Sequence, residues 1–293
     1  VFLYQQHRNS LTVENRPCCT NPDKDLVNLI RTAASLNMTV ILKPQVLLAC
    51  NTLDVPPTCP STVDGERNWR GTIGTDPSFT AEEWAQWFAS YTENMVHYAH
   101  MAAQYPETVE VFVVGTELTS TYNQSEGWKN VTAAVRAVAP GIVTTFAAGR
   151  LNFTLRDFSM YDMIGVDAYY KIIPNATADG GCPTTAEFVD GWHSTGAFDL
   201  LLNMTQRFDK PLMFTEMGYS ASLGCGSGPA YITSGTESVD CQRNAYEALY
   251  QVFCPQPWWK GVQWWSWGAH NFAEPLSRGL DFRGKPAEDV VRQ

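Results

Sequence analysis

Nowhere in the 293 residues is there an unbroken apolar run of about 18, so no segment reads as a membrane-spanning helix. No Gly-x-Gly-x-x-Gly fingerprint and no P-loop is present, which leaves the nucleotide-binding folds without their phosphate cradle. No Cys-x-x-Cys pair or Cys/His cluster spells a zinc site, and neither a metal nor an organic cofactor is expected. No Gly-x-Ser-x-Gly elbow marks a serine hydrolase. Basic residues are few. With 20 Lys and Arg against 30 Asp and Glu, the net charge is −10, which argues against nucleic acid and is compatible with a neutral polymer. No signal-peptide pattern opens the sequence. Val1 begins directly on an apolar stretch, which fits a leader already removed or one lying outside this sequence.

What is present points outward from the cell. There are eight cysteines, and six Asn-x-Ser/Thr sequons begin at Asn37, Asn123, Asn130, Asn152, Asn175 and Asn203. Together they read as a secreted, extracellular glycoprotein with paired cysteines and N-linked glycans on those asparagines. Connectivity is open. Cys50 and Cys59 share a long loop with Trp69 and are candidates to bridge back to Cys18 and Cys19. Cys182 and Cys225, in two neighbouring loops, are another candidate pair, and Cys241 and Cys254 flank one helical segment.

Short apolar runs alternate with segments of helical period. Strands are expected over residues 2–5, 39–42, 109–117, 142–146, 163–167, 212–215 and 261–265. Helices are expected over 23–36, from a cap at Ser78 or Thr80 to 104, and over 128–138, 186–208, 239–253 and 284–293. The strand at 39–42 ends in Lys43-Pro44-Gln45, and long loops are expected from there to about Pro77 and over 171–185. Near-continuous apolar strands separated by helices mean a parallel sheet covered by helices. Because the chemistry-bearing residues all follow strand ends, the expected fold is α/β, a (β/α)8 TIM barrel, in one domain spanning 1–293. Only seven strands are found, and the run at 2–5 behaves like the second strand of such a barrel. The first βα unit is therefore expected to be missing from the given sequence.

Two of these runs lead into a glutamate. Val109-Glu-Val-Phe-Val-Val-Gly-Thr-Glu117 and Lys210-Pro-Leu-Met-Phe-Thr-Glu216 would place carboxyl groups at facing points of the barrel mouth. Hydrolysis of a glycoside with retention needs two carboxyls about 5–5.5 Å apart, one held protonated to feed the leaving oxygen and one ionised to attack. Salt-bridged structural acids are the competing reading. Ten tryptophans favour the first, since sugar rings present apolar C–H faces that stack on indole. Trp69, Trp192 and His193 fall in or near long loops and suit binding. Trp84 and Trp87 on a helix suit packing, and Trp258 and Trp259 before the last strand suit a structural role. Lys43, at a strand end, either contacts substrate or pairs with an acid. Asp167 suits ordering of the rim through hydrogen bonds.

Val114-Gly-Thr-Glu117-Leu, Asp162-Met-Ile-Gly-Val-Asp-Ala-Tyr-Tyr170, Phe214-Thr-Glu216-Met-Gly-Tyr219, Gly261-Val-Gln-Trp-Trp-Ser-Trp-Gly268 and Leu42-Lys-Pro-Gln45 together resemble the strand ends of clan A glycoside hydrolases. The likeness is greatest to glycoside hydrolase family 113, whose characterised members are endo-β-mannanases, and runs from Val1 to about Gly268. The resemblance implies Glu117 as acid/base and Glu216 as nucleophile. It implies Tyr169 as a hydrogen-bond partner of the nucleophile and Trp265 as the sugar platform. Trp264 is the alternative inward residue, because neighbouring strand residues alternate faces. Trp267 and His270 would line an adjacent subsite, with Lys43, Gln45, Thr116 and Trp69 also facing substrate. Two departures stand out. Thr116 replaces the Asn that often precedes the acid/base, and Gln45 stands where the family often has His. The implied activity is retaining hydrolysis of a β-linked polysaccharide or oligosaccharide, β-mannan first and β-glucan as an alternative within the clan. A non-catalytic glycan-binding or structural barrel is the reading from another class, against which two intact glutamates count.

Overall fold

The computed structural model describes residues 1–15, 20–48, 62–63, 66–67, 69–75, 77–177, 180–229, 236–267 and 279–293. They fall into two compact units, Val1–Ile164 and Gly165–Gln293.

In the first unit the order is β1 (Phe2–Gln5), α1 (Asp23–Ser35), β2 (Val40–Leu42), β3 (Gln45–Leu48), β4 (Thr62–Val63), β5 (Glu66–Arg67), α2 (Ala81–Ala103), β6 (Val109–Thr116), α3 (Ser125–Val138) and β7 (Val143–Gly149). The loop expected after Lys43-Pro44-Gln45 is not all loop: β3 takes up its start, and β4 and β5 lie within it. Pro44 explains the break between β2 and β3, since it has no N–H to give a ladder. Across that break the chain changes partner. β2 runs parallel to β6, while β3 runs parallel to β1 with Gln45 opposite Phe2. β6 pairs in parallel with β7. Seven of the eight β6 residues are buried, as a strand covered on both faces requires.

Helix ends follow from side-chain chemistry. Thr80, not Ser78, caps α2: its hydroxyl accepts from Glu83 N at 3.2 Å while the Glu83 carboxylate accepts from Thr80 N at 2.8 Å. Such a reciprocal box satisfies two donors left over by the first turn. α2 then buries an aromatic stripe, with Trp87 stacked on Tyr91 at 4.9 Å. The Trp87 indole donates to the buried Gln5 at 2.8 Å, so the polar end of β1 is satisfied inside the core. Gly115 on β6 makes room for α3, since a Cβ there would stand 2.5 Å from Phe146 and 2.7 Å from Trp128. By strand alternation Thr116 faces the other way.

Arg156, after β7, is wholly buried with its guanidinium 4.2 Å from the Phe146 centroid and 5.1 Å from that of Trp128. It donates to the Tyr161 hydroxyl. Cation–π attraction to the rings offsets part of the desolvation of a charge with no carboxylate partner among the described residues.

β8 (Ile164–Asp167) leads into the second unit, where α4 (Thr185–Ser194), α5 (Ala197–Phe208), β9 (Leu212–Met217), α6 (Val239–Phe253), β10 (Trp259–Trp264) and α7 (Pro286–Arg292) follow. The helical stretch expected over 186–208 is two helices, broken at Gly196, whose φ of 76° only glycine adopts cheaply. β9 lies between β8 and β10, parallel to β10.

Two expectations are corrected here. Cys182 pairs with Cys241, not with Cys225. The bridge joins the loop before α4 to the first turn of α6, whereas Cys225 is a buried free thiol and Cys254 an exposed one. Cys18, Cys19, Cys50 and Cys59 lie outside the described residues. Trp192 is not a binding residue: it is fully buried in α4, stacked on Phe214 and edge-on to Phe253. His193, beside it, is exposed, with its ring tilted against Phe198 at 4.7 Å.

Candidate active site

Glu117 follows the last residue of β6. Its amide donates to the Ala147 carbonyl at 2.8 Å, which holds the residue against β7. Its φ is +50°, a left-handed conformation that costs a non-glycine residue on the order of 1 kcal/mol or more. The carboxylate is built in from three directions. Trp69 Nε1 donates to Oε2 at 3.2 Å. Arg70 Nη1 stands 3.8 Å from the same oxygen and donates to Gln45 Oε1 at 3.0 Å. On the remaining side lies Gly149, where a Cβ would come within 3.4 Å of Oε1. The Trp69 ring can fold back over the chain because residue 71 is glycine, since any Cβ there would lie 2.1 Å from the indole. A short 3₁₀ turn, Arg70–Thr72, then fixes Arg70 beside it.

Glu216 sits in β9 of the second unit, between Thr215 and Met217. Its carbonyl accepts from Ala168 N at 2.7 Å, and the Tyr169 hydroxyl donates to its Oε2 at 3.3 Å. Beneath it Thr215 Oγ1 donates to the buried Asp167 at 2.8 Å, the rim-ordering bond that the sequence suggests for that aspartate. Trp265 is locked to the same strand by its amide, which donates to the Met217 carbonyl at 2.7 Å. Gly218 permits this approach, because a Cβ there would lie 2.0 Å from the Trp265 carbonyl oxygen.

The two tryptophans that alternation left undecided now separate. Trp264 stacks on Tyr246 of α6 at 3.7 Å and donates to the Tyr250 hydroxyl at 2.9 Å. Trp265 is 39% exposed, and Trp267 is 47% exposed with one edge against Phe282. Trp258 and Trp259 pack on Phe253, in keeping with a structural role.

Of the remaining candidates, Gln45 is buried on β3 as the acceptor for Arg70. Thr116 is buried, and its hydroxyl has no hydrogen-bond partner among the described residues. Lys43 is partly buried in the break between β2 and β3. His270 lies outside the described residues. Arg70 and Gly149 were not anticipated. Neither sits in a motif, and only the fold brings a side chain 47 positions upstream to Glu117. Among the described residues no group of three His, Cys, Asp or Glu is placed to hold a metal ion. A groove of about 540 Å³ bounded by Ala102, Pro106, Val109, Pro140 and Val143 lies at the amino-terminal ends of β6 and β7, away from these side chains.

Comparison with known proteins agrees with the architecture. The model of Glycoside Hydrolase Family 113 matches residues 1–279. A solved family 113 β-1,4-mannanase is 23% identical with a TM-score of 0.79, covering 100% of this chain and 84% of its own. A second structure, a complex of such a β-1,4-mannanase, is 22% identical with a TM-score of 0.78 and the same coverage. The β-mannanase of Alicyclobacillus acidocaldarius in complex with ManMIm is 26% identical with a TM-score of 0.75, covering 99% of this chain and 82% of that one. No curated protein matches. The fold is the (β/α)8 barrel of these neighbours.

Proposed function

Because the chain belongs to glycoside hydrolase family 113, we propose that it hydrolyses a β-linked glycan, β-mannan first, with net retention of configuration. The observation that carries the reading is a pair of strand-end glutamates in a chain of this family, each in a built hydrogen-bonding environment. Substrate choice draws on the neighbours, which are described as β-mannanases.

Glu117 is the general acid and then the base; Glu216 is the nucleophile. In the first step the Glu117 proton goes to the glycosidic oxygen as its bond to the anomeric carbon breaks, and a Glu216 oxygen forms an ester to that carbon. In the second step water attacks the anomeric carbon, gives a proton to Glu117, and the Glu216 ester breaks to regenerate the carboxylate. Tyr169 steadies the attacking carboxylate, and the exposed face of Trp265 carries the sugar ring. This chemistry calls on no metal or cofactor.

We also read the protein as secreted and N-glycosylated. All six sequon asparagines are exposed, including Asn130 and Asn203 on the outer faces of α3 and α5.

The test is incubation with β-mannan, β-glucan and xylan, reading new reducing ends, with the anomer first released followed by NMR. Cleavage of mannan giving the β-anomer first is expected. Cleavage of glucan alone moves the substrate within the clan, inversion removes the double-displacement mechanism, and binding without cleavage replaces the enzyme by a glycan-binding barrel.

A further inference from the structure

Glu117 Oε2 meets two groups that can only donate. An indole N–H has no acceptor lone pair to offer, and a guanidinium is protonated at every relevant pH. Trp69 Nε1 is at 3.2 Å and Arg70 Nη1 at 3.8 Å from that one oxygen. A carboxyl proton on Oε2 would confront both. Oε1, by contrast, faces Gly149, which brings no side chain.

We propose that Arg70 is a positioning residue for the general acid: with Trp69 it occupies Oε2 and so places the transferable proton on Oε1. The proposal rests on the reading of Glu117 as acid/base.

Within the first unit these groups surround Glu117. From β3 comes Gln45, a neutral amide whose oxygen is committed to Arg70. From the 69–72 turn come the Trp69 indole and the Arg70 charge. β7 contributes Gly149, and β6 contributes the uncharged Thr116. Arg70 is thus the one cation within ion-pair distance of Glu117 among the described residues. The side chains are 14% and 23% exposed, so solvent screens the pair only in part. Held in this way, Oε1 presents the proton in the first step and takes one from water in the second.

The experiment measures kcat/KM for a β-1,4-mannooligosaccharide and for 2,4-dinitrophenyl β-mannoside. The proteins are the wild type, Arg70→Met, Arg70→Lys and Glu117→Gln. Dinitrophenolate leaves without a proton, so its release is blind to the acid. Arg70→Met is expected to lower kcat/KM on the oligosaccharide by about tenfold and Arg70→Lys by less, with the dinitrophenyl substrate changed by less than about twofold. Should the methionine variant fail to fold, Arg70→Gln carries the same expectation. An unchanged rate on the oligosaccharide, or an equal loss on both substrates, overturns the role of Arg70 and leaves Glu117 untouched. A Glu117→Gln protein as active as wild type on the oligosaccharide instead removes the acid/base reading itself.

Discussion

Tyr169 reaches Glu216 through one hydrogen bond of 3.3 Å, a long contact for a hydroxyl donor on a carboxylate. On the proposed mechanism that bond orients the attacking oxygen as its charge disperses in the transition state. Tyr169→Phe should therefore lower kcat by about ten- to a hundredfold while leaving KM within about threefold, measured on mannooligosaccharide. An unchanged kcat would make Tyr169 a packing residue. At this scale the sequence was partly legible. The strand-end positions of both glutamates could be read from the apolar runs that precede them. Trp69 was traceable as an aromatic in a long loop. Arg70 was not, since a single arginine in an irregular segment acquires meaning only when the chain folds back upon Glu117. Trp192 misled for the opposite reason: a tryptophan close to a loop in sequence turned inward on the helix that the loop precedes.

Among the elements, the join between α3 and β7 rests on Asp162. Its carboxylate accepts from Thr144 N at 2.8 Å, from Thr144 Oγ1 at 2.7 Å and from Arg136 at 2.8 Å. Burial alone would raise its pKa, but the Arg136 and Thr144 bonds outweigh that and leave it below the usual value. A carboxyl with a lowered folded-state pKa adds stability above its unfolded value of 3.8, and that stability is lost as pH falls through the folded value. With Arg136 41% exposed and Asp162 45%, screening limits the effect. Asp162→Asn should cost about 1 kcal/mol in urea unfolding at pH 7, and the difference from wild type should shrink below about pH 4. A difference independent of pH would assign the loss to packing. Elements such as β6 and α6 could be placed from the sequence because long periodic or continuous apolar runs leave few alternatives. β3 could not, because Pro44 reads as the end of a strand and nothing local reveals that the chain resumes pairing with β1. Nor could the Cys182–Cys241 bridge, which joins segments 59 residues apart that only tertiary packing brings together.

For the whole molecule, the net charge of −10 and the exposed sequons set what meets solvent. Enzymatic release of N-glycans in heavy-oxygen water, followed by peptide mass spectrometry, should convert Asn37, Asn123, Asn130, Asn152, Asn175 and Asn203 to labelled aspartates in protein secreted from eukaryotic cells. No conversion at any of them would end the secretory reading. The barrel class was legible from strand–helix alternation, whereas the approach of Trp69 and Arg70 to Glu117 is a property of the folded chain alone. The account depends most on Glu216 attacking the sugar that Glu117 serves. Treatment with 2,4-dinitrophenyl 2-deoxy-2-fluoro-β-mannoside should inactivate the enzyme with one fluoromannosyl group per chain, carried on the peptide at Glu216. A label on Glu117 or elsewhere, or an enzyme that cleaves mannan yet never becomes labelled, would contradict it.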